Sequence, residues 1–207
     1  MNIKKTANLL LNFAIKRLAE IFGFVIFVSG VMLLMALITY SPEDPNFIFP
    51  KNTEINNLLG FQGSFVSDLF FQSVGLIAYL IALTFIMTGI NIFRVKEFFL
   101  IIENTFFTTL YCLVGTLFLS YFYSTGFIFY LNGNGGFIGN YLNTTFLNNL
   151  IASNEIIFFY VLIILIFFLF LISINFSLSN FIKFIKKILN LFVNDKYKNY
   201  TDKSEII

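Results

Sequence analysis

The placement of charge constrains this chain more than any other feature. Between Arg17 and Glu43 the only charged residue is Glu20. None lies between Asp68 and Arg94, none between Glu103 and Glu155, and none from there to Lys183. A helix rises about 1.5 Å per residue and needs about 20 apolar residues to cross the hydrocarbon core of a bilayer. Each charge-poor interval has room for such a helix. The expected fold is therefore an all-α integral membrane protein. It has four transmembrane helices, at about residues 21–40, 70–93, 104–123 and 156–178, with flanking amphipathic interfacial helices.

Composition narrows the function. The chain is 58% hydrophobic and carries 31 Phe among its 207 residues, which leaves little material for a soluble domain. A formal net charge of +2 argues against direct nucleic-acid binding by this segment. With no His and a single cysteine, Cys112, inside an apolar run, the chain offers no metal-ligand set, no imidazole base and no disulfide framework. No cofactor is expected.

Residues 1–20 do not read as a cleavable signal, because Lys16, Arg17 and Glu20 interrupt any apolar core. Lys5, Asn8, Asn12, Lys16 and Glu20 recur at spacings of three and four, opposite Leu10, Phe13 and Leu18. That pattern suits an amphipathic helix at the membrane interface. The first span carries the small residues Gly23, Ser29, Gly30 and Ala36, which permit close helix approach. It ends at Ser41-Pro42-Glu43-Asp44-Pro45, where two prolines force a turn. A polar loop follows to Leu59, and Gly60 and Gly63 bracket a short turn.

The next helix is expected to run unbroken from Gly63 to Phe93. Ser64, Asp68, Gln72, Gly75, Tyr79, Ala82 and Gly89 give it one small and polar face. Thr105, Thr108, Cys112 and Gly115 give the third span a similar face. Lipid offers nothing to polar groups, so Gly75, Tyr79 and Ala82 are expected to pack on Thr108, Cys112 and Gly115 as a helix seam. Residues 124–154 are uncharged and rich in Asn and Gly, with one short helix expected from Ile138 to Leu150. The fourth span is nearly all Ile, Leu and Phe. Residues 179–207 begin as a basic amphipathic segment, with Lys183, Lys186 and Lys187 opposite Phe181, Ile182 and Ile185, and continue as the start of a linker.

Every basic residue except Lys51 falls in the N-terminal segment, the second connection or the C-terminal segment. The positive-inside rule then puts both termini in the cytoplasm. Chemistry is sparse. There is no G-x-x-x-x-G-K-[ST] phosphate loop, no H-E-x-x-H and no G-x-S-x-G. Asp68 is the one acidic residue that falls inside a membrane helix. A transporter or channel subunit would use Asp68 and Gln72 as a polar site. The alternative is a packing role in the first turns of the helix. Glu20 and Glu155 read as boundary charges, and Cys112 as a small packing residue.

Three stretches carry a resemblance. Leu37-Ile38-Thr39-Tyr40-Ser41-Pro42-Glu43-Asp44-Pro45-Asn46-Phe47 resembles the T-Y-x-P-x-D-P turn that ends the first span in the FtsK/SpoIIIE family of DNA translocases. Asn57-Leu58-Leu59-Gly60-Phe61-Gln62-Gly63 through Asp68, continued by Gly75 and Ala78-Tyr79, resembles the family's entry to the second span. Phe61 stands where the family often has Pro. Gly135-Gly136-Phe137-Ile138-Gly139 resembles the G-G-x-x-G before the fourth span. The resemblance implies a four-span membrane anchor of the bacterial inner membrane that helps assemble the division machinery at the septum. It also implies self-association and contact with other division-machinery membrane proteins. In the family, ATP hydrolysis and DNA pumping belong to a hexameric motor beyond a cytoplasmic linker. That motor is not among these residues, so the anchor role alone is implied here and no enzymatic activity is expected.

Overall fold

A computed structural model describes residues 3–45, 54–124, 132–179, 182, 183, 186, 187, 189 and 190. Most of them are helical, with no strand among them. In chain order the helices are α1 (Ile3–Ile38), α2 (Gly60–Val74), α3 (Ala78–Val95), α4 (Phe99–Phe122), α5 (Gly136–Asn143), α6 (Phe146–Ser153) and α7 (Glu155–Ser173). Four stretches are long and apolar enough to cross a membrane: Asn8–Ile38, Gly60–Val95, Phe99–Phe122 and Glu155–Ser173.

The boundaries depart from expectation in instructive ways. No break separates the N-terminal segment from the first span among the described residues: α1 runs continuously from Ile3 through Glu20 to Ile38. Leu18-Ala19-Glu20 are good helix formers and no Gly or Pro precedes Gly23, so nothing stops the helix there. The helix from Gly63 to Phe93 is not continuous. It breaks at Gly75, whose φ is +61°, and a 3₁₀ turn, Gly75–Ile77, joins α2 to α3. Leu76 N–H donates to the Asn134 carbonyl at 3.0 Å, so a loop supplies the acceptor. At about 1.5 Å per residue, α3 alone spans about 27 Å, close to one hydrocarbon thickness.

The third span starts at Phe99, five residues before the expected Asn104. The single helix expected over 138–150 is two. Thr145 caps α6 by accepting from Leu147 N–H at 3.3 Å, which separates it from α5. The fourth span stops at Ser173, short of Leu178, because Asn175 takes a left-handed φ of +49° just beyond it. Asn tolerates that conformation better than other non-glycine residues, and it ends helices there.

α1 and α3 make the most extensive contact. A Cβ on Gly23 would lie 2.7 Å from Phe93 N, and one on Gly30 would lie 2.7 Å from Ile86 N. The two backbones thus approach as closely as glycine allows. Phe71, Val74, Ile77, Ala78, Ile81 and Ala82 join Leu33, Leu37, Tyr111 and Cys112 in the main core. A second core of Leu117, Phe118, Ile151 and Leu162 packs α4 with α6 and α7. α7 fully buries only Leu162 and Ser173; Phe158, Phe159, Ile166, Leu169 and Phe170 pack part-buried on the two cores, and most of its other apolar side chains are exposed, as a lipid-facing helix requires.

Residues from Phe176 onward form a separate unit. Of it, Ile182, Lys183, Lys186, Lys187, Leu189 and Asn190 are helical and exposed. The amphipathic face expected there includes Phe181, Ile185, Ile188 and Phe192, which lie outside the described residues, as do Asn46, Phe47 and Lys51.

Candidate functional site

The end of α1 leaves carbonyls without helical partners, and the polar turn after it satisfies them. Asn57 Nδ2 donates to the Ala36 carbonyl at 2.9 Å and to the Thr39 carbonyl at 3.4 Å. Thr39 Oγ1 in turn accepts from Leu58 N–H at 3.2 Å. Asp44, 1% exposed, anchors the turn. Its Oδ1 accepts from the Asn56 backbone at 2.8 Å and side chain at 3.2 Å, and its Oδ2 accepts from Asn57 N–H at 2.9 Å. This carboxylate is buried with donors on both oxygens, which offsets the cost of taking it out of water.

The same turn grips α2. Ser64 Oγ donates to the Pro45 carbonyl at 3.2 Å, and Pro45 is itself fully buried. Gly63 abuts Asn57 and Leu59, where a Cβ would lie 2.6 Å from Leu59 Cβ. Gly60 enters α2 with φ +65°. Tyr40 hydroxyl donates to Asp68 Oδ1 at 3.0 Å, and the Tyr40 ring packs on Phe71 with centroids 4.9 Å apart. Tyr40 lies beyond the last residue of α1. Burial, then the Asp68 carboxylate, push its phenol well above the ordinary tyrosine range, so it remains a donor at neutral pH. Pro42 is half-buried in the bend.

A second polar cluster holds the break between α2 and α3. Gly75 abuts the Asn134 carbonyl so closely that a side chain has no room, and Gly136 (φ +65°) lies against Ser73 and Gly75. Asn132 Nδ2 donates to both the backbone and the side-chain oxygen of Gln72 at 3.2 Å. Asn134 Nδ2 reaches the Tyr123 carbonyl at 2.6 Å, and Ser120 Oγ pairs with Asn140 Oδ1 at 2.7 Å. A Cβ on Gly135 would lie 2.5 Å from the Thr116 carbonyl, so the G-G-x-x-G backbone rides directly on α4.

Between α2 and α5 lies a cleft of about 490 Å³ lined by Phe65, Asp68, Leu69, Gln72, Ser73, Asn132 and Phe137. Asp68 and Gln72 do meet there, but one Asp68 oxygen is engaged by Tyr40 and Gln72 by Asn132. Among the described residues no three His, Cys, Asp or Glu side chains converge.

The six residues assigned to a seam between the second and third spans are divided. Gly75 meets the 132–136 turn, not a helix. Tyr79 turns to α1, donating to the Leu37 carbonyl at 3.2 Å. Ala82 and Cys112 share the main core. Gly115 receives Ile77 of the 3₁₀ turn, where a Cβ would lie 2.5 Å from Ile77 Cδ1. Thr108 bonds back to the Asn104 carbonyl at 2.6 Å.

Several structural residues escaped the sequence reading. Asn57 stood inside a quoted motif and Asn134 in the Asn- and Gly-rich stretch 124–154, and an Asn flanking a turn was the available signal. Thr84, Tyr111 and Ser173 form a buried hydroxyl chain, at 2.9 Å and 3.3 Å, that unites α3, α4 and α7. Asn91 Nδ2 donates to the Ile174 carbonyl at 2.9 Å and caps the exit of α7.

The sequence has counterparts among known proteins. Residues 15–188 match the family described as the 4TM region of DNA translocase FtsK/SpoIIIE. The DNA translocase FtsK of Azospirillum brasilense is 38% identical over 79 residues, which cover 37% of this chain and 12% of that relative. The FtsK of Caulobacter vibrioides is 38% identical over 69 residues, covering 33% of this chain and 8% of the relative. The FtsK of Rickettsia typhi is 32% identical over 69 residues, covering 33% and 9%. The aligned stretches thus span a small part of those relatives' length. No solved structure matches the chain. With four helices able to cross a membrane and a match over most of its length, this chain belongs to the 4TM membrane-domain family of the FtsK/SpoIIIE DNA translocases.

Proposed function

We propose that these residues anchor a DNA translocase in the inner membrane at the division septum and act there as a scaffold. The observation that carries this reading is the mutual docking of the family-like stretches. Thr39, Tyr40, Asp44 and Pro45 bond to Asn57, Leu58, Ser64 and Asp68. The Gly135–Gly139 stretch seats against Gly75 and α4. This builds a stiff polar cap on an apolar bundle, suited to presenting a fixed surface and unsuited to acid–base or phosphoryl chemistry. ATP hydrolysis and DNA pumping then belong to other parts of a translocase, with no direct nucleic-acid contact by this segment. The basic residues support cytoplasmic termini, with residues 41–62 and 124–154 facing the periplasm. Its partners are the lipid bilayer, further copies of itself and other membrane proteins of the division machinery. A fluorescent C-terminal fusion in dividing cells tests the reading: a band at mid-cell supports it, and uniform membrane signal opposes it. Asp68→Asn keeps the side-chain shape and an oxygen for Tyr40, so the anchor reading expects unchanged localisation. Solute flux in proteoliposomes that depends on Asp68 would instead establish a transporter.

A further inference from the structure

The polar cap borders the hydrocarbon, and its contacts fix its depth. Asn57, just before α2, donates to the Ala36 and Thr39 carbonyls, and Tyr79, just after the helix break, donates to the Leu37 carbonyl. Both ends of α2 therefore meet the last turn of α1, although α2 is about 22 Å long. The helix lies across the end of α1 and not along it. Ile38 also ends the apolar stretch of α1, and α3 by itself spans a hydrocarbon thickness. Asp68, near the middle of α2, thus sits at headgroup level.

The cleft of about 490 Å³ beside Asp68 is far larger than a bare ion needs. Asp68 Oδ1 accepts from Tyr40, and Oδ2 takes no donor among the described residues. No Lys or Arg among them pairs with this carboxylate. The rings of Phe65 and Phe137 line the same cleft, and aromatic faces attract cations. An open carboxylate oxygen in an aromatic-lined cleft selects a cation that donates a hydrogen bond. The rims indicate what that cation is attached to. Leu69 and Phe137 are 54% and 63% exposed where the cleft borders the hydrocarbon. A free amine in water gains nothing from them. A phospholipid carries an ammonium group and acyl chains together, so one molecule satisfies the carboxylate and the rims. Ser73, also lining the cleft, has a hydroxyl that can donate to the lipid phosphate.

We propose that this cleft binds the headgroup of an aminophospholipid, with its primary ammonium on Asp68 and its chains running past Leu69 and Phe137. Such binding requires membrane insertion and is independent of septal recruitment. The test is native mass spectrometry of the purified full chain with phosphatidylethanolamine, phosphatidylcholine and phosphatidylglycerol of identical acyl chains. The choline lipid has a cation without a donor hydrogen, and the glycerol lipid has no cation. The ethanolamine lipid is expected to bind about fivefold or more tightly than either, the scale of one charge-assisted hydrogen bond. Asp68→Asn keeps an oxygen for Tyr40 and should erase the preference, with the unfolding temperature in lipid-free detergent near that of the parent. Phe137→Ala removes an exposed rim and should lower binding of the ethanolamine lipid, whatever the fate of the Asp68 variant. Equal binding of the three lipids, a preference that survives Asp68→Asn, or displacement of the lipid by an equal concentration of free ethanolamine would each overturn the proposal.

Discussion

At the scale of single residues, the cap turns on two carboxylates with different burdens. Asp44 is buried and accepts three hydrogen bonds, two of them from backbone N–H groups. Asp44→Ala leaves those donors unpaired in a closed site and is expected to cost about 3 kcal/mol. Thermal unfolding in detergent measures it; an unchanged midpoint would mean that water replaces the carboxylate freely. Asp68 is half-exposed and accepts one bond, from Tyr40. Asp68→Asn is expected to cost no more than about 1 kcal/mol by the same measurement. The ordering matters, because the sequence singled out Asp68 as the one intramembrane acid. Asp44, which stood in the turn motif as a bend residue, bears more of the structure.

At the scale of elements, the glycines separate two kinds of close contact. Gly75 meets backbone, the Asn134 carbonyl, and has φ +61°. Gly115 meets a side chain, Ile77. Gly75→Ala and Gly115→Leu should both lower the unfolding temperature. Only the second should recover when Ile77→Ala is added, since a side chain can be shortened and a carbonyl cannot. Equal rescue of both would refute the assignment of Gly75 to the helix break. These contacts mark the limit of what periodicity reveals. Charge gaps located four membrane helices because a bilayer imposes length and polarity on any span. Three- and four-residue spacing grouped Gly75 with Tyr79 and Ala82, because that arithmetic assumes one uninterrupted helix. The break depends on an acceptor some sixty residues later, in Asn134, and no local pattern encodes it. The turn motifs were legible as stretches, but their mutual docking was not, since hydrogen bonds such as Asn57 to Ala36 join positions by tertiary fold alone.

At the scale of the whole molecule, the bundle presents a lipid-facing exterior, a polar cap at one end, and a tie at the exit of α7. Asn91 and Thr84 of α3 hold Ile174 and Ser173, so the exit of α7 is tied to α3. Asn91→Leu is expected to cost about 1 kcal/mol and to raise amide exchange near Ile174, read by mass spectrometry. The proposed topology has its own check: if both termini are cytoplasmic, cysteines introduced near Lys51 should react with impermeant reagents from the periplasm only, and labelling from the cytoplasmic side alone would overturn it. The anchor account is tested most directly by imaging a fluorescent fusion of this chain in dividing cells, beside Asp44→Ala and Asp68→Asn. The account predicts a mid-cell band for the parent and for Asp68→Asn, and a weakened band for Asp44→Ala. Uniform membrane signal from a stable, correctly inserted parent chain would contradict it.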